Sequence, residues 1–152
     1  MKPIDDIDQK ILECLLEDGR MTIKEISGRL NLSTTPIFER IKKLEKKGII
    51  DHYTVVVNTE KLGKKLNAFA HISLKDHSKQ LIRDFEEKIL NIPEVMECHY
   101  VTGGTDFIIK ILVEDMDSYK EFILEKLLEI PNIGTLESYL SLAVRKQKPS
   151  LF

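Results

Sequence analysis

The 152-residue sequence predicts an α+β protein in two parts, three short helices over residues 1–51 and a βαββαβ domain over 66–152, joined by a strand-bearing hinge at 52–65. Two observations predict it. Up to about residue 48 the apolar residues recur at helical three- and four-residue steps, whereas after residue 65 runs rich in β-branched and aromatic residues alternate with helical ones. In the second part each helical run stops at a proline, Pro93 or Pro131, which sets the order strand, helix, strand, strand, helix, strand. The chain is 42 % hydrophobic and 32 % charged with only 7 Gly and 5 Pro, the composition of a folded chain with room for two modest cores.

Ile4, Ile7, Ile11, Leu12 and Leu15 form one stripe of a first helix that Gly19 can end. In "TIKEISGRL" Thr22 and Glu25 have capping-box spacing, and Ile23, Ile26 and Leu30 share one face of a helix of barely two turns. The third helix starts near Ser33 or Thr34 with Pro36 in its first turn and runs to Gly48. Ile37, Ile41 and Leu44 point inward. At about 100° per residue, Thr35, Glu39, Lys42 and Lys46 then point directly outward, flanked by Phe38 and Lys43.

A short helix, a tight turn and a longer helix with a basic outer face make a helix-turn-helix. Such a helix fits the major groove of B-DNA, its first turns meeting base edges and its later lysines neutralising phosphates. The charge supports this locally. The chain carries a formal −2, yet Arg20 to Gly48 holds eight basic residues against three acidic ones, the footprint of a local nucleic-acid contact in place of a bulk one. The candidate DNA-binding residues are Ser33, Thr34, Thr35, Phe38, Glu39, Lys42, Lys43 and Lys46. Glu39 can accept from a cytosine amino group or pair with Lys43 four residues on. Arg40, at the edge of the buried stripe, suits a structural ion pair as well as a DNA contact.

"IIDHYTVVVN" reads as a hinge strand, and "NTEKLGKK" as a polar linker. The strands "NAFAHISLK", "EVMECHYVT", "TDFIIKILVE" and "GTLESYLSLAV" follow, with Ile82, Phe85, Ile89 and Ile92 on one intervening helix and Met116, Tyr119, Ile123, Leu127 and Ile130 on the other. This order is the ferredoxin-like arrangement, an antiparallel sheet with both helices on one face. Simple alternation sets Met96, Cys98 and Tyr100 against Val95 and Val101, and Ile108 and Leu112 against Phe107, Ile109 and Ile111, so both sheet faces are expected to be substantially apolar. Two helices cover one of them. The second is expected to bury against another subunit, giving a homodimer or larger.

Several classes are excluded. No run of about 18 apolar residues occurs and "MKPIDDIDQK" is acidic where a leader would be basic and then apolar, so a cytoplasmic protein without membrane contact is expected. Cys14 and Cys98 lack CxxC spacing and are expected as thiols. His52, His71, His77 and His99 have no ligand-like spacing, so no metal is expected. No nucleophile elbow, phosphate loop or paired-histidine motif is present, and neither an enzyme nor a cofactor is expected. A stand-alone metabolite-binding module would leave the first sixty residues idle.

Three blocks, "IDDIDQKILECLLEDGRMTIKEISGRLNLSTTPIFERIKKLEKKGIIDHY", "IPEVMECHYVTGGTDFIIKI" and "IPNIGTLESYLSLAVRK", resemble the Lrp/AsnC, or feast/famine, transcription regulators in order and spacing. The resemblance implies an N-terminal DNA-binding domain and a C-terminal domain that dimerises and binds small effectors, usually amino acids, with dimers assembling into tetramers, octamers or larger rings. "VTGGTDF" is similar to the family's effector loop, Gly103 and Asp106 matching its glycine and aspartate. Backbone N–H groups at adjacent glycines can converge on a carboxylate, and Asp106 can pair with an α-ammonium group. By this resemblance the candidate effector residues are Thr102, Gly103, Gly104, Thr105 and Asp106, with Ser138 and Tyr139 on the last strand. Gly103 and Gly104 would equally serve a ligand-free hairpin turn. Gly104 and Thr105 stand where the family often has an acidic and an aromatic residue, Asn132 where it often has glycine, and Leu136 where it often has a small polar one.

Overall fold

A computed structural model describes residues 4–144, so the expected second domain runs past the described residues at its C-terminal end. The chain divides between Val57 and Asn58 into two compact units.

The first unit holds α1 (Asp6–Glu17), α2 (Ile23–Leu30) and α3 (Thr34–Lys46). Each helix start has a local cause. Asp5 caps α1, its Oδ1 accepting from the N–H of Ile7 and of Asp8 at 3.0 and 2.8 Å, while Asp8 accepts from the N–H of Asp5. Thr22 and Glu25 close the expected capping box on α2. Asn31, left-handed at φ 53°, ends α2 and turns the chain into Ser33, the N-cap of α3. Gly48, at φ 65°, reverses the chain after α3. Ile11, Leu12, Ile26, Ile37, Ile41 and Leu44 form the core, as the stripes predict, together with Cys14.

The second unit holds a 3₁₀ turn (Glu60–Leu62), β1 (Leu66–Leu74), α4 (Lys79–Leu90), β2 (Val95–Tyr100), β3 (Phe107–Val113), α5 (Met116–Glu121) with a π-helical continuation (Phe122–Leu127), and β4 (Ile133–Leu140). The sheet order is β2-β3-β1-β4, all pairs antiparallel, the ferredoxin-like topology expected. Ala68, Ala70, Ile72 and Leu74 alternate with half-exposed residues and meet Phe107, Ile109, Ile111 and Val113 on one face. Phe85, Ile89, Tyr119, Phe122 and Leu127 pack on that face. β1 and β4 approach closely at Gly134, where a Cβ would lie 3.0 Å from the carbonyl oxygen of Ser73.

Four expectations need correction. First, residues 52–57 form no strand: a strand exists through its ladder, and no segment of the same chain pairs with them among the described residues, leaving Val55 and Val56 78 % and 80 % exposed. Second, β2 does not alternate regularly. The register shifts between Val95 and Glu97, so Val95, Cys98 and Tyr100 pair with Ile111, Ile109 and Phe107 on the helix-covered side, and Met96 drops out of the pattern.

Third, the open face is therefore mixed and not substantially apolar. Phe69, Ile108, Leu112 and Tyr139 share it with His71, Glu97, His99, Lys110 and Glu137. Fourth, the last helix widens into a π turn, so Phe122 and Leu127, five residues apart, are both buried, while Met116, counted into the stripe, is exposed.

Candidate DNA-binding face and candidate effector site

α3 presents all eight candidate residues. Ser33, Thr34, Thr35, Phe38, Glu39, Lys42, Lys43 and Lys46 are exposed, while Ile37, Ile41 and Leu44 anchor the helix in the core. The N-terminal turn holds no acidic residue and the hydroxyl of Ser33 makes no capping bond. Its N–H groups are thus free to face an anion.

The Lys42 ammonium lies 2.9 Å from Glu45 and 5.9 Å from the Phe38 ring centroid. Tyr53 donates its hydroxyl to the other Glu45 oxygen at 3.1 Å. Lys42, and then Tyr53, hold the Glu45 carboxyl below its usual range. Glu39 forms no ion pair with Lys43 or any other cation among the described residues.

Arg40 belongs to the scaffold. Its guanidinium bridges Asp5 and Asp8, 2.6 Å from each, and Asp8 is only 5 % exposed. The pair locks α3 to the start of α1. Asp5 is held below the usual carboxylate range, first by the Asp8 N–H and then by Arg40. Nothing in sequence spacing signals a bond across more than thirty residues; the charge on Asp8 inside an apolar stripe was the available clue.

In the second unit the loop between β2 and β3 is a closed hairpin. Val101 N–H donates to the Asp106 carbonyl at 2.8 Å, and Gly103 at φ 132° supplies the turn conformation. Asp106 is engaged: its Oδ2 accepts from the Leu74 N–H at 2.7 Å, and His77 Nε2 lies 2.9 Å away. The Leu74 N–H first, and His77 second, lower its pKa. Asn132 is left-handed at φ 76°, a conformation that asparagine tolerates, and its amide bonds both the N–H and the carbonyl of Asp76.

The open sheet face carries a cavity of about 350 Å³ lined by His71, Ser73, Gly104, Thr105, Thr135 and Glu137. Of the seven effector candidates, Gly104 and Thr105 line it. Tyr139 borders it, its ring 4.7 Å from His71 and its hydroxyl donating to Glu137 at 2.8 Å. Thr102 and Gly103 are exposed on the hairpin. Ser138 lies on the opposite side of the sheet, where it accepts from the Tyr119 hydroxyl at 2.6 Å. Adjacent strand residues cannot share a face, so Ser138 and Tyr139 cannot both serve one site.

Sequence reasoning missed His71, Ser73, Thr135 and Glu137. Their meeting follows from the register His71↔Glu137 and Ser73↔Thr135, which no local pattern encodes. Among the described residues no group of His, Cys, Asp or Glu could hold a metal ion, and no helix is long and apolar enough to cross a membrane.

A family profile described as "Lrp/AsnC ligand binding domain" matches residues 67–151, and one described as "Winged helix-turn-helix DNA-binding" matches residues 4–51. The leucine-responsive regulatory protein of Escherichia coli strain K12 is 35 % identical over 150 residues, covering 99 % of this chain and 92 % of that one. The crystal structure of the transcriptional regulator NMB0573 of Neisseria meningitidis in complex with L-Met matches with a TM-score of 0.93 at 34 % identity, covering 97 % of this chain and 96 % of that one. An AsnC family transcriptional regulator from Agrobacterium tumefaciens matches with a TM-score of 0.92 at 28 % identity and the same coverages.

Proposed function

From the premise that this chain belongs to the Lrp/AsnC family of DNA-binding transcriptional regulators, we propose that α3 is its groove-entering helix and that the second unit binds a free amino acid at subunit contacts. The observation that carries the reading is the outward face of α3, where hydroxyls and lysines are exposed together on a helix fixed to its unit by Ile37, Ile41, Leu44 and Arg40. Ser33 to Glu39 read base edges, and Lys42, Lys43 and Lys46 hold phosphate. Thr35→Ala should chiefly relax base preference.

A single α3 covers one half-site, so the functional form is a homo-oligomer whose paired α3 helices enter successive major grooves. Apolar surface supports assembly: Val55 and Val56 are nearly bare, and Phe69 and Tyr139 stand on the uncovered sheet face. A second copy over that face would close the cavity between subunits. Ligand occupancy would then bear on the spacing of the two α3 helices.

The cavity has room for a free amino acid and is lined mostly by polar groups. The named neighbours point the same way, one a leucine-responsive regulator and one a complex with L-Met. The roles within the loop divide: Gly104 and Thr105 touch ligand, and Asp106 braces the hairpin against β1. Titrating the twenty amino acids while following thermal unfolding tests this. A true ligand at a hundred times its Kd stabilises by about 2.7 kcal/mol, a shift of several degrees, which Glu137→Gln should reduce. No shift with any amino acid, or an undiminished shift in Glu137→Gln, contradicts the site.

A further inference from the structure

α3 carries one large apolar side chain on its outward face. Phe38 is 48 % exposed, although Ile37 and Ile41 beside it are in the core. Thr34 and Thr35 stand one turn before it and Lys42 one turn after, with the Lys42 ammonium 5.9 Å from the ring centroid. The ring is therefore held beside a cation and left uncovered at the fifth position of the helix, within the N-terminal turns that meet base edges in a helix-turn-helix.

The hydroxyls, carboxylate and ammonium groups around it can match donors and acceptors in the major groove; the ring can match neither. The apolar feature of the major-groove edge is the C5 methyl group of thymine. We propose that Phe38 is a specificity-determining residue that selects thymine, its ring packing on the C5 methyl of one thymine in each half-site while Lys42 remains beside it for phosphate. The inference rests on the assignment of α3 to the groove.

The test uses the full-length chain and a duplex it selects from random DNA. Each thymine is replaced in turn by uracil, which removes the methyl group and leaves every donor and acceptor in place. Affinity is read by fluorescence anisotropy at one fixed salt concentration. At one thymine per half-site the parent should lose about fourfold per methyl, the factor expected for burial of one such group. Phe38→Ala should bind the thymine and uracil duplexes equally, Phe38→Leu should keep part of the difference, and Lys42→Ala should weaken both duplexes alike.

A parent indifferent to every uracil, or a Phe38→Ala protein with the parent's full penalty, overturns the inference while leaving α3 as the DNA face. Absence of any selected sequence overturns the groove assignment itself. The uracil series on the parent needs no folded variant.

Discussion

Replacing Lys42 and Lys46 together by alanine is expected to weaken binding to every DNA sequence, by roughly a hundredfold at physiological salt, and to flatten the dependence of log affinity on log salt. Two lysines in each of two subunits remove four phosphate contacts, and each contact contributes about 0.9 to that slope. Lys42 has a further effect. It is paired with Glu45 at 2.9 Å, so its removal leaves a carboxylate beside the phosphates. Titrations at several salt concentrations check the slope. An unchanged affinity and slope would mean that another face of the first unit meets DNA.

Arg40→Ala is expected to act on stability and not on base preference, lowering the unfolding free energy by about 2 kcal/mol, as loss of a charged hydrogen-bond partner from a part-buried carboxylate does. The cost comes from Asp8, a residue only 5 % exposed, whose carboxylate would lose its guanidinium partner. Denaturant unfolding measures it, and Asp8→Asn in the same chain should restore a good part of the loss. The pair also sets a direction with pH. Because Asp5 is held below its ordinary value of 3.8, its contribution is present above that value and lost as pH falls through the lower folded one. An Arg40→Ala protein as stable as the parent would show that the bridge to α1 carries no weight.

The two units differ in how far the sequence exposes them. In the first unit the stripes Ile11–Leu12, Ile26 and Ile37–Ile41–Leu44 and the Thr22–Glu25 cap are local signals, and each element formed where its own residues place it. The outer face of α3 was legible for the same reason. The second unit's order was equally readable from its prolines and alternation, but its faces were not. A bulge at Met96 and a π turn after Glu121 each insert one residue into a period, and the bulge shows only against the partner strand β3.

The cavity was the least legible feature. His71, Ser73, Thr135 and Glu137 meet only through the pairing of β1 with β4. Asp106 shows the complementary difficulty: a carboxylate in a glycine-rich loop suits a ligand's ammonium group, yet the fold directs it to the Leu74 N–H and His77. Its sequence position is the same in both roles. Only the arrangement of β1 against the hairpin decides between them.

Selection of bound duplexes from a fully random pool by the full-length chain asks whether paired α3 helices read DNA. Paired helices should enrich a sequence with two half-sites related by twofold symmetry, their centres one helical turn of about 10 base pairs or a multiple of it apart. A pool that stays random after repeated rounds, or an enriched sequence with a single asymmetric site, would contradict it.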